Sequence, residues 1–357
     1  MTSQISFMVF GDPAEKAAYE ELVTAFNTVH PEIGVELIHV PSQSDYRQRL
    51  GADFAAGTPA DIVLINYRRY APFAAKGVLE PLGPYLDQST VIQVEDFYEK
   101  AVEPYYWQGT LFCIPQNLSS LVVYYNKDLF DQAGVSYPRN DWTWDEFLQA
   151  AQAITQDTDS DGMTDIYGLG TDATIFRVAP FIWGNGGDLV DDPTNPTALA
   201  FDDPATHEAL QWFIDLQVVH GVAPGAVQEQ AEASESRFLN GRLGMFLNSR
   251  RGVPTYRTIE NFAWDVAPLP VGKVQPAGIL HADAFCMAKA TADKDAAWTF
   301  IEYANSVEGQ TILAKSGRTV PSLKAVAESP VFLEPELPPA NNKGAFIDTI
   351  PYIRACR

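Results

Sequence analysis

The stretch Leu111 to Phe130 (LFCIPQNLSSLVVYYNKDLF) constrains the fold of this chain more than any other. It opens on the turn formers Pro115 and Asn117, runs through the unbroken apolar series Leu121-Val122-Val123-Tyr124-Tyr125, and passes into Asn126-Lys127-Asp128. An apolar run without polar alternation reads as a strand buried on both faces. Before it, strands at Ile5, Phe7 and Val9, at Val35, Leu37 and His39, and at Asp61 to Ile65 alternate with helical stripes at Tyr19, Leu22, Val23 and Phe26 and at Tyr46, Leu50 and Phe54. That β-α-β-α-β order predicts a parallel, doubly wound sheet. The pattern restarts beyond Phe130, where Thr143 and Glu146 form a capping box ahead of the apolar face Phe147, Ala150, Ala151 and Ile154. The stretch is therefore a crossing between two lobes.

Two lobes suit a chain of 357 residues with 46% hydrophobic content, which supplies apolar side chains for two cores. The 46 acidic against 24 basic residues exclude a nucleic-acid partner, whose phosphates demand clustered Lys and Arg. No apolar run reaches the roughly 18 to 20 residues that span a bilayer, and Met1 to Phe7 has neither the basic start nor the apolar core of a secretion signal. Cys113, Cys286 and Cys356 are an odd number at unrelated spacings, so they outline neither a disulfide framework nor a zinc site. Cys113 and Cys286 read as buried thiols.

Ligands of open α/β sheets bind at the carboxyl ends of strands, which directs attention to the loops there. Asp12 follows the first strand and either caps the next helix or faces a ligand. Asn66, Tyr67, Arg68 and Arg69 follow the third strand and offer an amide, an aromatic face and two guanidinium forks. Asn117 lies in the crossing. Trp183, Asn185 and Gly186 sit in a glycine-rich turn where an indole beside an amide suits a sugar ring. Asn248, Arg250 and Arg251 close a later strand.

Asp157, Asp159, Asp161, Gly162 and Met163 match the first half of a calcium loop, but its twelfth position is Gly168, which has no carboxylate. Calcium would need Asp165 or a distant acid; the other reading is a solvated acidic turn. No cofactor is required. Nucleophile elbow, zinc-protease, phosphate-loop and dinucleotide signatures are all missing from the sequence.

Taken in order, Gly11-Asp12, Ala60-Asp61-Ile62-Val63, Tyr125 to Phe130, Trp144 to Phe147, Asp157 to Gly168, Asn185-Gly186-Gly187, Gly244-Met245 to Asn248 and Arg318 to Pro321 resemble the extracellular solute-binding proteins of carbohydrate ABC importers, the group that includes maltodextrin-binding proteins. The resemblance covers nearly the whole chain. It implies an α/β, two-lobed periplasmic-binding-protein-like fold of type II, each lobe a doubly wound sheet. Lobe 1 is then residues 1–116 plus 281–318 and lobe 2 residues 117–280 plus 319–357, with three interlobe crossings. It implies a protein outside the cytoplasm, in the periplasm or lipid-anchored, that captures a sugar in the interlobe cleft by hinge closure and delivers it to a membrane permease; closure on one ligand works in a monomer. The ligand-facing loops fall by position on Asp12, on Asn66 to Arg69, on Trp183 and Asn185, and on Asn248 to Arg251. His281 and Asp283 lie at the second crossing and Arg318 at the third.

In two respects the sequence departs from that group. It carries no signal, and it stops at Arg357, where the group runs on past Ile350 to Arg354 into a final helix, as in a truncated sequence. The five arginines 68, 69, 250, 251 and 318 motivate a second reading, an anionic ligand such as a uronate or a glycerol phosphate ester. A third is a two-lobed carbohydrate-active enzyme with paired carboxylates.

Overall fold

The computed structural model describes residues 3–172, 174–193 and 195–356. The chain divides into two units, residues 1–119 with 281–333 and residues 120–280 with 334–357. The main sheets are built from β1 (Ser3–Phe10), β2 (Ile33–Val40), β3 (Ile62–Asn66), β4 (Cys113–Pro115), β5 (Leu121–Asn126), β6 (Tyr167–Gly170), β7 (Leu243–Ser249), β8 (Trp264–Ala267) and β9 (Asp283–Met287).

The first unit holds a five-stranded sheet in the order β2-β1-β3-β9-β4. β1 is parallel to β2 and β3, as the βαβ pattern requires, whereas β9 is antiparallel to both β3 and β4. The reversal has a simple cause: the chain re-enters this unit at His281, beside the carboxyl ends of β3 and β4, and can only run back down the sheet. Helices Pro13–Val29 and Lys294–Ala304 bury Phe26 and Phe300 in a cluster with Phe7. Phe7 and Phe26 are wholly buried, and each such side chain contributes about 1.5–3 kcal/mol of apolar burial.

The second unit holds a four-stranded sheet, β8-β5-β7-β6, in which β5 is antiparallel to β7 and β8. All six residues of β5 are buried, the outcome its unbroken apolar run demands. Asn126 ends the strand and caps the helix Lys127–Ala133 by accepting from Leu129 N, so the Tyr-Asn-Lys-Asp signature is a strand-to-helix junction. The capping box of Thr143 and Glu146 opens the helix Trp144–Ile154, and the Glu146 carboxyl is held below its ordinary range, first by the Thr143 N–H and then by Arg139.

Two expectations are corrected here. The last passage between units falls between Leu333 and Glu334, not at 318/319. Val320 and Pro321 pair with Leu118 and Asn117, Ser322 Oγ donates to Pro115 O at 2.5 Å, and Leu323, Val326 and Phe332 are buried, which ties the whole segment to the first unit. Cys113 and Cys286 are not free thiols: they face each other across β4 and β9, 4.4 Å apart at Cα, and form a disulfide. A separation of 173 residues hid the pairing from any local reading.

Candidate functional site

The carboxyl edge of the first unit's sheet collects four residues singled out by the sequence. Asp12 follows β1, Asn66 ends β3, Asn117 follows β4, and Asp283 begins the reversed strand β9. Bonds link Asn66, Asn117 and Asp283 laterally. Asn66 Nδ2 donates to Asp283 Oδ1 at 3.1 Å and to Ala282 O at 3.0 Å, while its Oδ1 accepts from Arg68 N and caps the helix Tyr67–Ala75. Asn117 Oδ1 accepts from Asp283 N at 3.3 Å, and its amide donates to Gln116 Oε1 at 3.1 Å. Asp12 caps the helix Pro13–Val29 through Oδ1, and Arg318 Nη1 reaches its Oδ2 at 2.5 Å. Both proposed roles of Asp12, cap and edge carboxylate, are thus compatible in one side chain.

A buried polar chain, missed in the sequence, stands behind this edge. Gln116 Nε2 donates to Tyr19 Oη at 3.0 Å, and Gln310 Nε2 donates to Gln116 O at 2.8 Å and to Ser322 Oγ at 3.1 Å. Burial pushes the Tyr19 hydroxyl well above its ordinary pKa, so it stays protonated across the physiological range. Fully bonded buried networks fix side-chain orientation, and this one fixes the start of Asn117. Its only sequence signal was the adjacency of Gln116 to Asn117.

The other candidates of this unit are placed less directly. Tyr67 is buried and its hydroxyl accepts from Arg68 Nε at 3.0 Å, Arg69 is exposed on the following helix, and His281 exchanges backbone hydrogen bonds with Ser119.

In the second unit the sequence candidates scatter. Asn248, near the end of β7, donates to Tyr256 Oη at 2.6 Å. Arg250 is wholly buried, bonded to Asn342 and, at 2.7 Å, to Glu334, and stacked over Phe346. Burial lowers its pKa to about 10. This arginine anchors the final segment and does not face solvent, which corrects its reading as a ligand residue; its neighbour Arg251 is exposed.

Trp183, Asn185 and Gly186 are placed differently from the loops at the strand ends. They end the helix Ile175–Gly184, about 15 Å from its start at the carboxyl side of β6. Trp183 is 2% exposed, its indole N–H donates to Asp188, and the Arg354 guanidinium covers its ring at 4.8 Å. The glycines admit close approach of the protein itself: a Cβ at Gly187 would lie 2.6 Å from Thr206 N. Asn185 is buried and donates to Ala205 O and Glu208. A cavity of about 390 Å³ is lined in part by Trp183, Gly186, Asp188, Asp191, Asp203 and Arg354, where Asp188 holds Arg354 and Asp203 caps the helix Pro204–Val218. The carboxyl edge of this unit also presents Ile175 and Phe176, both more than a third exposed at the first turn of the helix after β6. Aliphatic and aromatic side chains are more often core than site, so nothing in the sequence singled these two out.

In the acidic loop, Asp157, Asp159 and Asp165 bring carboxylate oxygens within 4.8 Å of one another. Each also accepts hydrogen bonds from the loop itself: Asp157 from Ser160 N and Gly162 N, Asp159 from Asp161 N, and Asp165 from Thr158 N and Oγ1. The Thr158 bonds hold the Asp165 carboxyl below its ordinary range. Asp161 instead accepts from Met163 N, and Gly168, at the twelfth position, is part of β6.

Comparison with known proteins places this architecture. The structure superposes on an ABC substrate-binding protein of Listeria monocytogenes solved with cycloalternan, with a TM-score of 0.87 and 24% identity, covering 99% of this chain and 88% of that one. The sugar-binding protein MalE of Xanthomonas citri gives 0.84 at 24% identity, over 99% and 86%. The fold is therefore the two-lobed one of such solute-binding proteins. Residues 11–311 match the bacterial extracellular solute-binding protein family, and the chain belongs to it. Among its relatives, the maltotriose-binding protein of Pyrococcus abyssi is 24% identical over 298 residues, 82% of this chain and 60% of that protein.

Proposed function

We propose that this protein captures a neutral carbohydrate reversibly, without chemistry, and delivers it to the membrane permease of an ABC importer from outside the cytoplasmic membrane. The observation that carries the reading is the first unit's carboxyl edge, where Asn66, Asn117 and Asp283 are joined by lateral hydrogen bonds and Asp12 is held by Arg318, an array of hydroxyl partners. Relatives that bind maltotriose and arabino-oligosaccharide, and fold neighbours solved with cycloalternan and acarbose, support the ligand class. The disulfide supports an oxidising compartment. A carbohydrate is favoured over an anion because Arg250 and Arg318 are already paired with carboxylates and Arg68 with the Tyr67 hydroxyl.

Isothermal titration tests the assignment of residues. Asp283→Asn and Asn66→Ala are expected to weaken binding of the tightest saccharide about tenfold or more, because each leaves ligand hydroxyls or edge groups without partners. Trp183→Phe is expected to leave affinity unchanged, its indole being closed off by Arg354. Full loss of binding with Trp183→Phe and none with Asp283→Asn would reverse the assignment.

For the acidic loop we propose the simpler of its two roles, a turn closed by its own carboxylates. Millimolar calcium should leave the melting temperature unchanged. A rise of several degrees, abolished by Asp165→Asn, would instead assign a cation to Asp157, Asp159 and Asp165.

A further inference from the structure

The pairing of Arg318 with Asp12 goes beyond holding the first unit together. The Arg318 side chain is 9% exposed, with Nη1 at 2.5 Å from Asp12 Oδ2 and Nε at 3.5 Å from Glu15 Oε1. Asp12 Oδ1 accepts from Ala14 N and Glu15 N at 3.0 Å each, and Glu15 Oε2 accepts from Asp12 N, also at 3.0 Å. Three donors therefore fix the plane of the Asp12 carboxylate, which is still 38% exposed. An N-cap alone needs no arginine: the carboxylate of a cap is already favoured by the helix N-terminus. Placing a nine-tenths buried guanidinium against it costs desolvation, which is recovered only in part by one close contact and one distant carboxylate.

We propose that Arg318 is a positioning residue for ligand capture. It holds Asp12 as a preset hydroxyl acceptor, and it offsets the joint charge of Asp12 and Glu15 so that the site prefers a neutral saccharide over an amine-bearing one. The inference rests on the reading of Asp12 as a ligand contact given above. A preset acceptor spares the ligand the cost of ordering that side chain, and a guanidinium between two carboxylates lowers the local attraction for a cation.

The test is a double-mutant cycle on binding, in the full chain, with maltotriose or the tightest neutral saccharide of the panel as one probe and its amino-sugar analogue as the other. Arg318→Gln and Asp12→Asn should each weaken the neutral saccharide about tenfold, and the double variant should be no weaker than the poorer single one. Arg318→Gln should also raise the affinity for the amino sugar relative to the neutral one, a change that a purely structural role would not produce. Arg318→Lys, which keeps the charge, should recover part of the loss and covers the case in which the glutamine variant does not fold. Multiplicative losses in the double variant, or wild-type affinity and selectivity in Arg318→Gln, would overturn the proposal. Absence of saccharide binding in the unaltered protein would overturn the parent reading and this inference with it.

Discussion

Replacing both Cys113 and Cys286 with alanine is expected to lower the stability of the 1–119/281–333 unit by about 3 kcal/mol. The figure follows from what the bridge closes. The cysteines are 173 residues apart, and a loop of that length unfolding as free chain would give about 5 kcal/mol. Most of the loop, however, is the second unit, residues 120–280. Its two ends are held together, Ile279 N donating to Ser120 Oγ at 3.0 Å. If that unit stays folded, only residues 113–119 and 281–286 behave as loop, and the entropy model gives about 3 kcal/mol. Urea unfolding of the double variant reads both quantities. A loss near 3 kcal/mol with two resolved transitions means that the units unfold separately, and one near 5 kcal/mol in a single transition means that they unfold together. A loss below about 1 kcal/mol would contradict the bridge.

Glu334→Gln is expected to destabilise the second unit by about 3–5 kcal/mol, more than Arg250→Met does. Glu334 accepts from Arg250 Nη2 at 2.7 Å and from Arg257 at 3.0 and 2.6 Å through both of its oxygens. Removing the carboxylate leaves a wholly buried guanidinium facing a second one, whereas removing Arg250 leaves Glu334 paired with Arg257. Glu334 is also in the left-handed backbone region, at φ 42°, a conformation that costs a non-glycine residue about 1–3 kcal/mol and is held here by the two arginines. Thermal denaturation should show a drop of roughly 10 °C for Glu334→Gln and a smaller one for Arg250→Met. The opposite order would mean that the buried arginine, not the shared carboxylate, secures the final segment.

What the sequence made legible was local. The parallel order of β1, β2 and β3 followed from apolar spacing, and the Asp12 and Thr143 caps from neighbouring residues. The reversed direction of β9 was not legible, because it depends on where the chain returns from the second unit. The Cys113–Cys286 bridge escaped for the same reason. Arg250 and Arg251 are adjacent and alike in sequence, yet one is buried against Glu334 and the other exposed, a difference set by a segment some 80 residues away. In the candidate site, the strand ends of the first unit were found because carboxyl edges follow from topology. The burial of Trp183 was not legible, because an indole among glycines looks the same in sequence whether the glycines admit a ligand or Thr206.

The central claim, reversible capture of a neutral saccharide, is tested most directly by isothermal titration of the full chain with a saccharide panel that includes maltotriose, arabino-oligosaccharides and a uronate. Each titrated sugar is recovered and analysed afterwards. The account predicts saturable binding of at least one neutral saccharide, weaker or no binding of the uronate, and recovery of the sugar unchanged. Binding of the uronate alone, binding of no saccharide, or recovery of a cleaved or transferred product would contradict it.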